Sequence, residues 1–358
     1  MPGQSRHDDA RWDNFARACF TVEGKPRAWS NQADGPALQS LAVLQAYQWI
    51  DDTTRAIARE LIGANVNFLL SGLPAGSGSP PSYQRSTTSP WEEESGSSFF
   101  ARAVQLRFFQ ELSANTAGIP VPPEVDDGIT WLTGALPRHW NDELGCYLSF
   151  EPPWKPDPNK NHDPYDPNAD IVLAALYGTI PAEDEKHPFL DAKLLASASA
   201  IRLIWTDAQA TKYPVNAEDA DRGFGPLLGR YPSDYYDGDT NDPQTPGHPW
   251  SLCTSAFAEL YYHVAEDVAA TSMVPSNPLA VDFLKQAKSR STDAADSVAQ
   301  ALCRAGDAML RGLIFHSDDL QLGEQFDRET GFERSLANLT WSYASFLSAV
   351  RARPAWAP

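Results

Sequence analysis

A chain of 358 residues, 42% of them hydrophobic, is long enough for one large domain or two ordinary ones and carries enough apolar mass for a full core. With 28 Lys plus Arg against 47 Asp plus Glu, its net charge of −19 repels phosphate backbones and anionic lipid head groups, which argues against nucleic-acid and membrane partners. No apolar run approaches the roughly 18 residues of a membrane span, and the start MPGQSRHDDARWDNF has no apolar stretch of the kind a signal peptide needs.

Strand-like alternation is scarce, whereas helical periodicity recurs from about residue 34 onward, so the expected class is all-α. Asp34 is placed to cap a helix over 34–50, with Leu38, Leu41, Val43, Leu44 and Tyr47 on its apolar face. A second helix over 53–70 would put Ile57, Leu61, Ile62, Val66 and Leu69 on one side. After a Pro/Gly/Ser-rich loop over 71–90, Ser97 or Ser98 opens a helix in which Phe100, Ala103, Val104, Phe108 and Leu112 recur at three- and four-residue steps. Weaker segments follow at 126–148 and 169–178, and stronger ones at 189–206, 249–269, 277–289, 293–315 and 335–352, with further long loops at 151–168, 207–247 and 316–334. Loops of this length in a compact domain are usually functional or disordered, and no composition break marks a second domain.

The four cysteines, Cys19, Cys146, Cys253 and Cys303, match no metal-ligand spacing; they read as buried free thiols, although an even set also allows three disulfide pairings. A Walker loop, H-E-x-x-H and G-x-S-x-G are all missing. GFGPLLG (223–229) reads as a turn, and DPNKNHDPYDPNAD (157–170) lacks the Gly and terminal Glu of an EF-hand calcium loop and reads as a solvated acidic loop. Two acidic places sit beside aromatics where a loop meets a helix: Trp91-Glu92-Glu93-Glu94, and GEQFDRETGFERSLANLTWSY (323–343), where Glu324 precedes a helix carrying Trp341. Two carboxyl groups flanking a bond are what glycoside hydrolysis needs, one protonated to release the leaving oxygen and one ionised to activate water. Each segment alone reads first as solvated carboxylates gathered at a helix start by the helix dipole.

Taken together and in order, these segments resemble the glucoamylases, glycoside hydrolase family 15. WEEESGSSFFARAVQ (91–105) is similar to the family's W-E-E-x-x-G-S-S-F-F-x-x-A-V-Q, LGRYPSDYYDG (228–238) to its G-R-Y-P-E-D-x-Y-Y-x-G, and the 323–343 segment to its S-E-Q-Y-D…S-A-R-D-L-T-W-S-Y. Trp29 in RAWSNQADGPAL and Trp250 in HPWSLCT match two further tryptophan motifs. The resemblance implies an (α/α)6 toroid of six helical hairpins, with Glu92 as general acid, Glu324 as general base, and Glu93 with Arg230 binding the +1 sugar. It adds Trp29, Trp91, Trp250 and Trp341 as pocket walls, Asp234 as the residue orienting Arg230, and Ser335 beside the base. The implied activity is inverting hydrolysis of α-1,4 and, more slowly, α-1,6 bonds of starch-like glucans from non-reducing ends, releasing β-glucose. No metal or cofactor takes part, the implied partner is the α-glucan itself, and the protein is expected to be a monomer. An inverting reaction needs roughly 6.5–9.5 Å between the two carboxyl groups.

Departures from the pattern set further expectations. Family members begin with additional helices and a T-R-D segment that grips the terminal glucose, so the chain is expected to be an N-terminally incomplete catalytic domain over 20–352, with an irregular segment at 1–19, a tail at 353–358 and no starch-binding domain. The alternative reading is a catalytically impaired relative that binds α-glucan. Glu94 adds a like charge, Asn31 stands where the family has arginine, Phe326 replaces a tyrosine, DTNDPQT (239–245) lengthens the loop before Trp250, and Cys146 lacks its family disulfide partner. Secretion is typical of the family and the sequon Asn338-Leu339-Thr340 fits it, while the chain itself shows no signal peptide.

Overall fold

The computed structural model describes residues 16–27, 29–71, 79–114, 118–206, 213–238 and 246–357. These residues are helical, joined by long loops, and their strands are three two-residue antiparallel hairpins. The DTNDPQT insertion, residues 72–78 of the first long loop and most of the 1–19 segment lie outside the described residues. No helix among the described residues is long and apolar enough to cross a membrane. The chain divides into two compact units, the first holding residues up to His139 with Ser149–Lys155 and Tyr177–Pro181, the second Trp140–Leu148, Pro156–Leu176 and everything from Ala182.

In the first unit, α1 (Gly35–Ala46) is followed by a 3₁₀ turn, Tyr47–Trp49, and by α2 (Asp52–Leu70). Asp34 occupies the N-cap position of α1 but makes no capping bond; its side chain is buried instead. Asp51 caps α2, accepting from Thr54 N at 2.8 Å. Of the expected apolar side of α2, Ile62, Val66 and Leu69 are buried and Leu61 is half-buried, while Ile57 is 62% exposed; Ala58, Asn65 and Phe68 are buried beside them. A hairpin of β1 (Thr87–Thr88) and β2 (Ser95–Gly96) brackets the three glutamates and leads into α3 (Phe99–Ser113). Ser98 caps α3 through Ala101 N (3.2 Å), and the helix is buried almost all round. It lies against α4 (Glu124–Ala135), closely enough that a Cβ on Gly128 would come within 2.7 Å of the Phe109 ring.

The helix expected over 126–148 stops at Ala135. Pro137 in the next turn supplies no N–H, a 3₁₀ turn (Leu136–His139) closes the helix, and a hairpin of β3 (Trp140–Asn141) and β4 (Cys146–Tyr147) follows, with Gly145 at φ 62 in its loop.

The second unit contains that hairpin, α5 (Asp170–Tyr177, all but its last residue), α6 (Ala192–Thr206), α7 (Val215–Asp221), α8 (Ser251–Thr271), α9 (Val281–Gln286), α10 (Ala295–His316) and α11 (Thr340–Ala352). Its centre is α8, buried along most of its length and packed on α10 and α11. At the α8–α10 crossing a Cβ on Gly306 would meet the Tyr262 ring at 2.7 Å, so glycine lets the two backbones approach. The α7 helix falls inside what the sequence marks as loop 207–247, and α11 starts at Thr340 rather than 335 because Ser335 and Asn338 adopt left-handed backbone (φ 62 and 55). Between α10 and α11 the hairpin of β5 (Gln325–Phe326) and β6 (Glu333–Arg334) carries the second acidic segment.

Candidate active site

In the first unit the run Glu92-Glu93-Glu94 is dispersed by its backbone. Ser89 and Glu94 close the turn, with Ser89 N donating to Glu94 O (2.8 Å) and Glu92 N to Ser89 O (2.9 Å), and Glu92 itself is left-handed at φ 65. The three like charges therefore end in three environments: Glu92 exposed, Glu93 half-buried, Glu94 buried. A non-glycine residue held at positive φ is strained, and such residues concentrate at functional sites. The Trp29 indole N–H donates to Glu92 Oε2, and Trp29 is half-exposed whereas Trp91 is buried. Asn31, in the place of the family arginine, contributes its backbone carbonyl, which accepts from Thr88 N (3.0 Å) and Thr87 Oγ1 (3.2 Å).

Asp34 belongs to the same neighbourhood, a placement its sequence position as a cap does not reveal. Its carboxyl is buried with Oδ1 taking no hydrogen bond, and burial, with a smaller push from the Glu92 charge, raises its pKa to about 6.

In the second unit seven residues from three segments converge. Arg230 and Asp234 are both buried and form a two-pronged pair, Nε to Oδ2 at 2.9 Å and Nη2 to Oδ1 at 2.6 Å. The guanidinium lies over three rings, Trp250 (4.8 Å), Tyr231 (5.2 Å) and Tyr236 (5.3 Å). Asp234 Oδ1 also accepts from Tyr236 N (3.0 Å), which fixes the turn that follows it. Tyr236 then delivers its hydroxyl to Glu324 Oε2 (3.2 Å), and the Ser335 hydroxyl donates to the same oxygen. Burial is the main cause that pushes the Tyr236 phenol above its usual range, so it stays a hydroxyl donor. Tyr236 is a residue whose role sequence reading missed. Its only signal is a place in the quoted YYDG segment, because its partner is 88 positions away.

Glu324 itself is 8% exposed, with both donors on Oε2 and, among the described residues, no hydrogen bond on Oε1. Its backbone is fixed on both sides, Ser251 N donating to Glu324 O (3.1 Å) and Glu324 N to Leu336 O (2.9 Å), and Trp250 pairs as a bridge with Gln325. Gly238 makes room for Ser335: a Cβ there would lie 2.4 Å from Ser335 Cβ, and its φ of 82 favours glycine independently. Phe326, where the family has tyrosine, is fully buried. Trp341 sits in the first turn of α11, 37% exposed. Among the described residues no group of three or more His, Cys, Asp or Glu is placed to hold a metal ion.

Known proteins with this pattern are consistent in kind. The family described as Glycosyl hydrolases family 15 matches residues 32–351, across both units. A glucoamylase of Blastobotrys adeninivorans is 30% identical over 289 residues, covering 74% of this chain and 43% of that protein, and the intracellular sporulation-specific glucoamylase of Saccharomyces cerevisiae is 25% identical over 381 residues, 96% of this chain and 65% of that one. The chain thus spans less than half the length of the first of these relatives. Among solved structures, the family 15 glucoamylase of Hypocrea jecorina superposes with a TM-score of 0.73 at 23% identity, over 94% of this chain and 56% of that one. The Saccharomycopsis fibuligera glucoamylase superposes with a TM-score of 0.71 at 22% identity, over 93% and 73%. The fold is the all-α, α/α class implied by the motifs, and the chain belongs to glycosyl hydrolase family 15.

Proposed function

We propose that the protein is an inverting exo-acting α-glucan hydrolase that releases β-glucose from non-reducing ends of starch-like chains, with Glu92 as general acid and Glu324 as general base. The observation that carries this reading is the asymmetric occupation of Glu324. Two hydroxyls bind Oε2 and, among the described residues, none binds Oε1, so one lone pair is oriented and available to take a proton from an attacking water. Glu92 has the complementary arrangement: the Trp29 N–H can only donate, so it satisfies Oε2 as an acceptor and leaves Oε1 to carry the acid proton toward the glycosidic oxygen. Proton delivery from Glu92 and water activation at Glu324 together make a single displacement with inversion, which requires the carboxyls to be roughly 6.5–9.5 Å apart with the sugar bound.

Glu93 and Arg230 hold the +1 sugar in this proposal. Arg230 suits the role because Asp234 and three rings fix its fork before substrate arrives, so little side-chain freedom is lost on binding. Trp29 and Trp341, both exposed, supply apolar surface for sugar faces, and the buried Trp91 and Trp250 back the pocket walls in this proposal. The substrate is the partner proposed, and the protein acts as a monomer without a metal or organic cofactor.

Proton NMR of maltose hydrolysis tests this directly. The β-anomer of glucose should appear before mutarotation generates the α-anomer, and α-glucose appearing first would overturn inversion. Glu92→Gln should lower kcat by at least about a thousandfold with thermal stability unchanged, because the amide has no proton to give. A variant with full turnover would remove Glu92 from the chemistry. Binding of maltoheptaose without any turnover by the unaltered protein would assign the glucan-binding alternative instead.

A further inference from the structure

The segment that carries Glu324 holds a second glutamate with no part in the chemistry so far. Glu333 opens β6, opposite Phe326, and its Oε1 accepts the N–H of Gly323 at 2.8 Å. Gly323 immediately precedes the base. Its carbonyl, which forms the peptide bond to Glu324, receives two more hydrogen bonds, from Ser251 Oγ and Ser342 Oγ at 2.8 Å each. Glu324 N and O are bound in turn by Leu336 O and Ser251 N. The backbone on either side of the base is thus clamped by α8, α11 and the β5–β6 hairpin, and every partner in this clamp except one is a hydroxyl or a peptide group. The exception is the Glu333 carboxylate, the one ionisable member.

The same carboxylate also meets the backbone amide of Asp318, across the turn in which Asp319 and Leu320 are left-handed (φ 49 and 64). Gly323 packs flat against it, with Glu333 Cδ 3.5 Å from where a Cβ would stand. Glu333 therefore ties the 318–323 turn to the hairpin at the peptide next to Glu324. A backbone carbonyl in this place would hold the turn equally at all pH values; a carboxylate holds it strongly only while ionised.

We propose that Glu333 is a positioning residue for Glu324, fixing the Gly323 peptide so that the free oxygen of the base faces the water, and that its ionisation makes this positioning pH-dependent. The proposal rests on the reading of Glu324 as general base. Burial, with the nearby Asp318 charge as a lesser cause, raises the Glu333 carboxyl above the usual glutamate range. The other charged groups on its hairpin pair among themselves, Asp327 with Arg334 at 3.1 Å and Arg328 with Glu329 at 3.1 Å. The sign follows: a carboxyl whose folded pKa is raised stabilises the fold fully below its unfolded pKa and loses that contribution as pH rises through the folded one. Ionised Glu333 at neutral pH thus opposes stability slightly while it serves position. On acidification it protonates ahead of an ordinary glutamate, and the clamp on Gly323 weakens.

The test compares Glu333→Ala and Glu333→Gln with the unaltered enzyme on maltose between about pH 3 and 7. Glutamine keeps an acceptor oxygen for Gly323 but cannot titrate. It should lower kcat at neutral pH by about three- to tenfold, toward the value of the unaltered enzyme once Glu333 is protonated, move the acid limb of the kcat profile to lower pH, and leave the protein at least as heat-stable at pH 7. Alanine should lower kcat by roughly ten- to a hundredfold with KM little changed, since a misplaced base loses rate rather than binding. An acid limb that does not move in Glu333→Gln overturns the proposal, as does a folded Glu333→Ala with undiminished kcat; if alanine fails to fold, the glutamine profile decides. Should the unaltered protein hydrolyse no α-glucan, the functional reading fails separately. Amide exchange at Gly323 still judges the clamp then: protection must fall on acidification in the unaltered chain and stay level in Glu333→Gln, and protection level in both overturns it.

Discussion

The surroundings of Glu92 and Glu324 differ in nearly every physical respect. Glu92 stands exposed at the tip of a strained turn, its side chain held by one indole N–H from a half-exposed tryptophan, with a buried, incompletely bonded Asp34 in its neighbourhood. Glu324 is enclosed, bonded twice on one oxygen and clamped along its backbone, beside an ion pair enclosed by rings. The contrast fits the two tasks assigned to them. A donor that must reach a leaving oxygen gains from access, whereas a group that must aim one lone pair at one water gains from fixed geometry, because small displacements there are expensive in rate. An unsatisfied buried carboxyl lies on the first side and hydrogen-bond redundancy on the second, while left-handed residues occur on both, Glu92 on one and Ser335 on the other.

The largest effect expected from this contrast is on stability around Glu324. Arg230→Met leaves Asp234 buried with its main partner gone, which should destabilise the protein by about 3–5 kcal/mol in urea unfolding. A loss below about 1 kcal/mol would mean the pair is not structurally important there. Next comes the opposite sign near Glu92. Because the Asp34 pKa is raised from 3.8 to about 6, its stabilising contribution is complete below the lower value and disappears as pH rises through the upper one. Asp34→Asn should therefore leave stability unchanged near pH 3.5 and raise it at pH 7 by up to roughly 3 kcal/mol. A variant less stable at pH 7 would show that the carboxylate has partners it needs. The smallest effects sharpen the comparison at the two carboxylates themselves. Ser335→Ala should reduce kcat by about tenfold, roughly 1.4 kcal/mol, while Trp29→Phe, which removes a more exposed donor, should reduce it by about two- to fivefold. If the Trp29 variant lost more than the Ser335 variant, the division into a loosely and a tightly held carboxylate would be wrong.

Much of this could be read from the chain before its coordinates. Helices with a repeating apolar face and a capping serine, such as α3, announced themselves, as did α8 through its long apolar run. What stayed hidden has specific causes. The α7 helix, VNAEDAD, is too short and too polar to show a period. Two-residue strands carry no alternation at all. Ile57 in the first turns of α2 faces outward although its spacing fits the apolar side, because what packs against that turn, not the residue's own preference, sets its exposure. At the candidate site, the motif segments supplied the names of the carboxylates, but hydrogen bonds such as Tyr236 to Glu324 join positions far apart in sequence, and Glu333 to Gly323 depends on a hairpin register that composition does not encode. Asp34 is a separate lesson: a residue type and position that suggest a helix cap turned inward instead.

The cysteines have a practical consequence. All four are unpaired by disulfide, and three of them, Cys146, Cys253 and Cys303, are buried with thiols that burial holds in the protonated state, Cys146 up to about 12 and Cys303 to about 11. Cys19 is partly accessible. A maleimide dye added to the native protein should therefore attach at one place, giving a fluorescent reporter on the first unit without any engineered thiol, whereas unfolding exposes all four thiols, so folding is followed under reducing conditions.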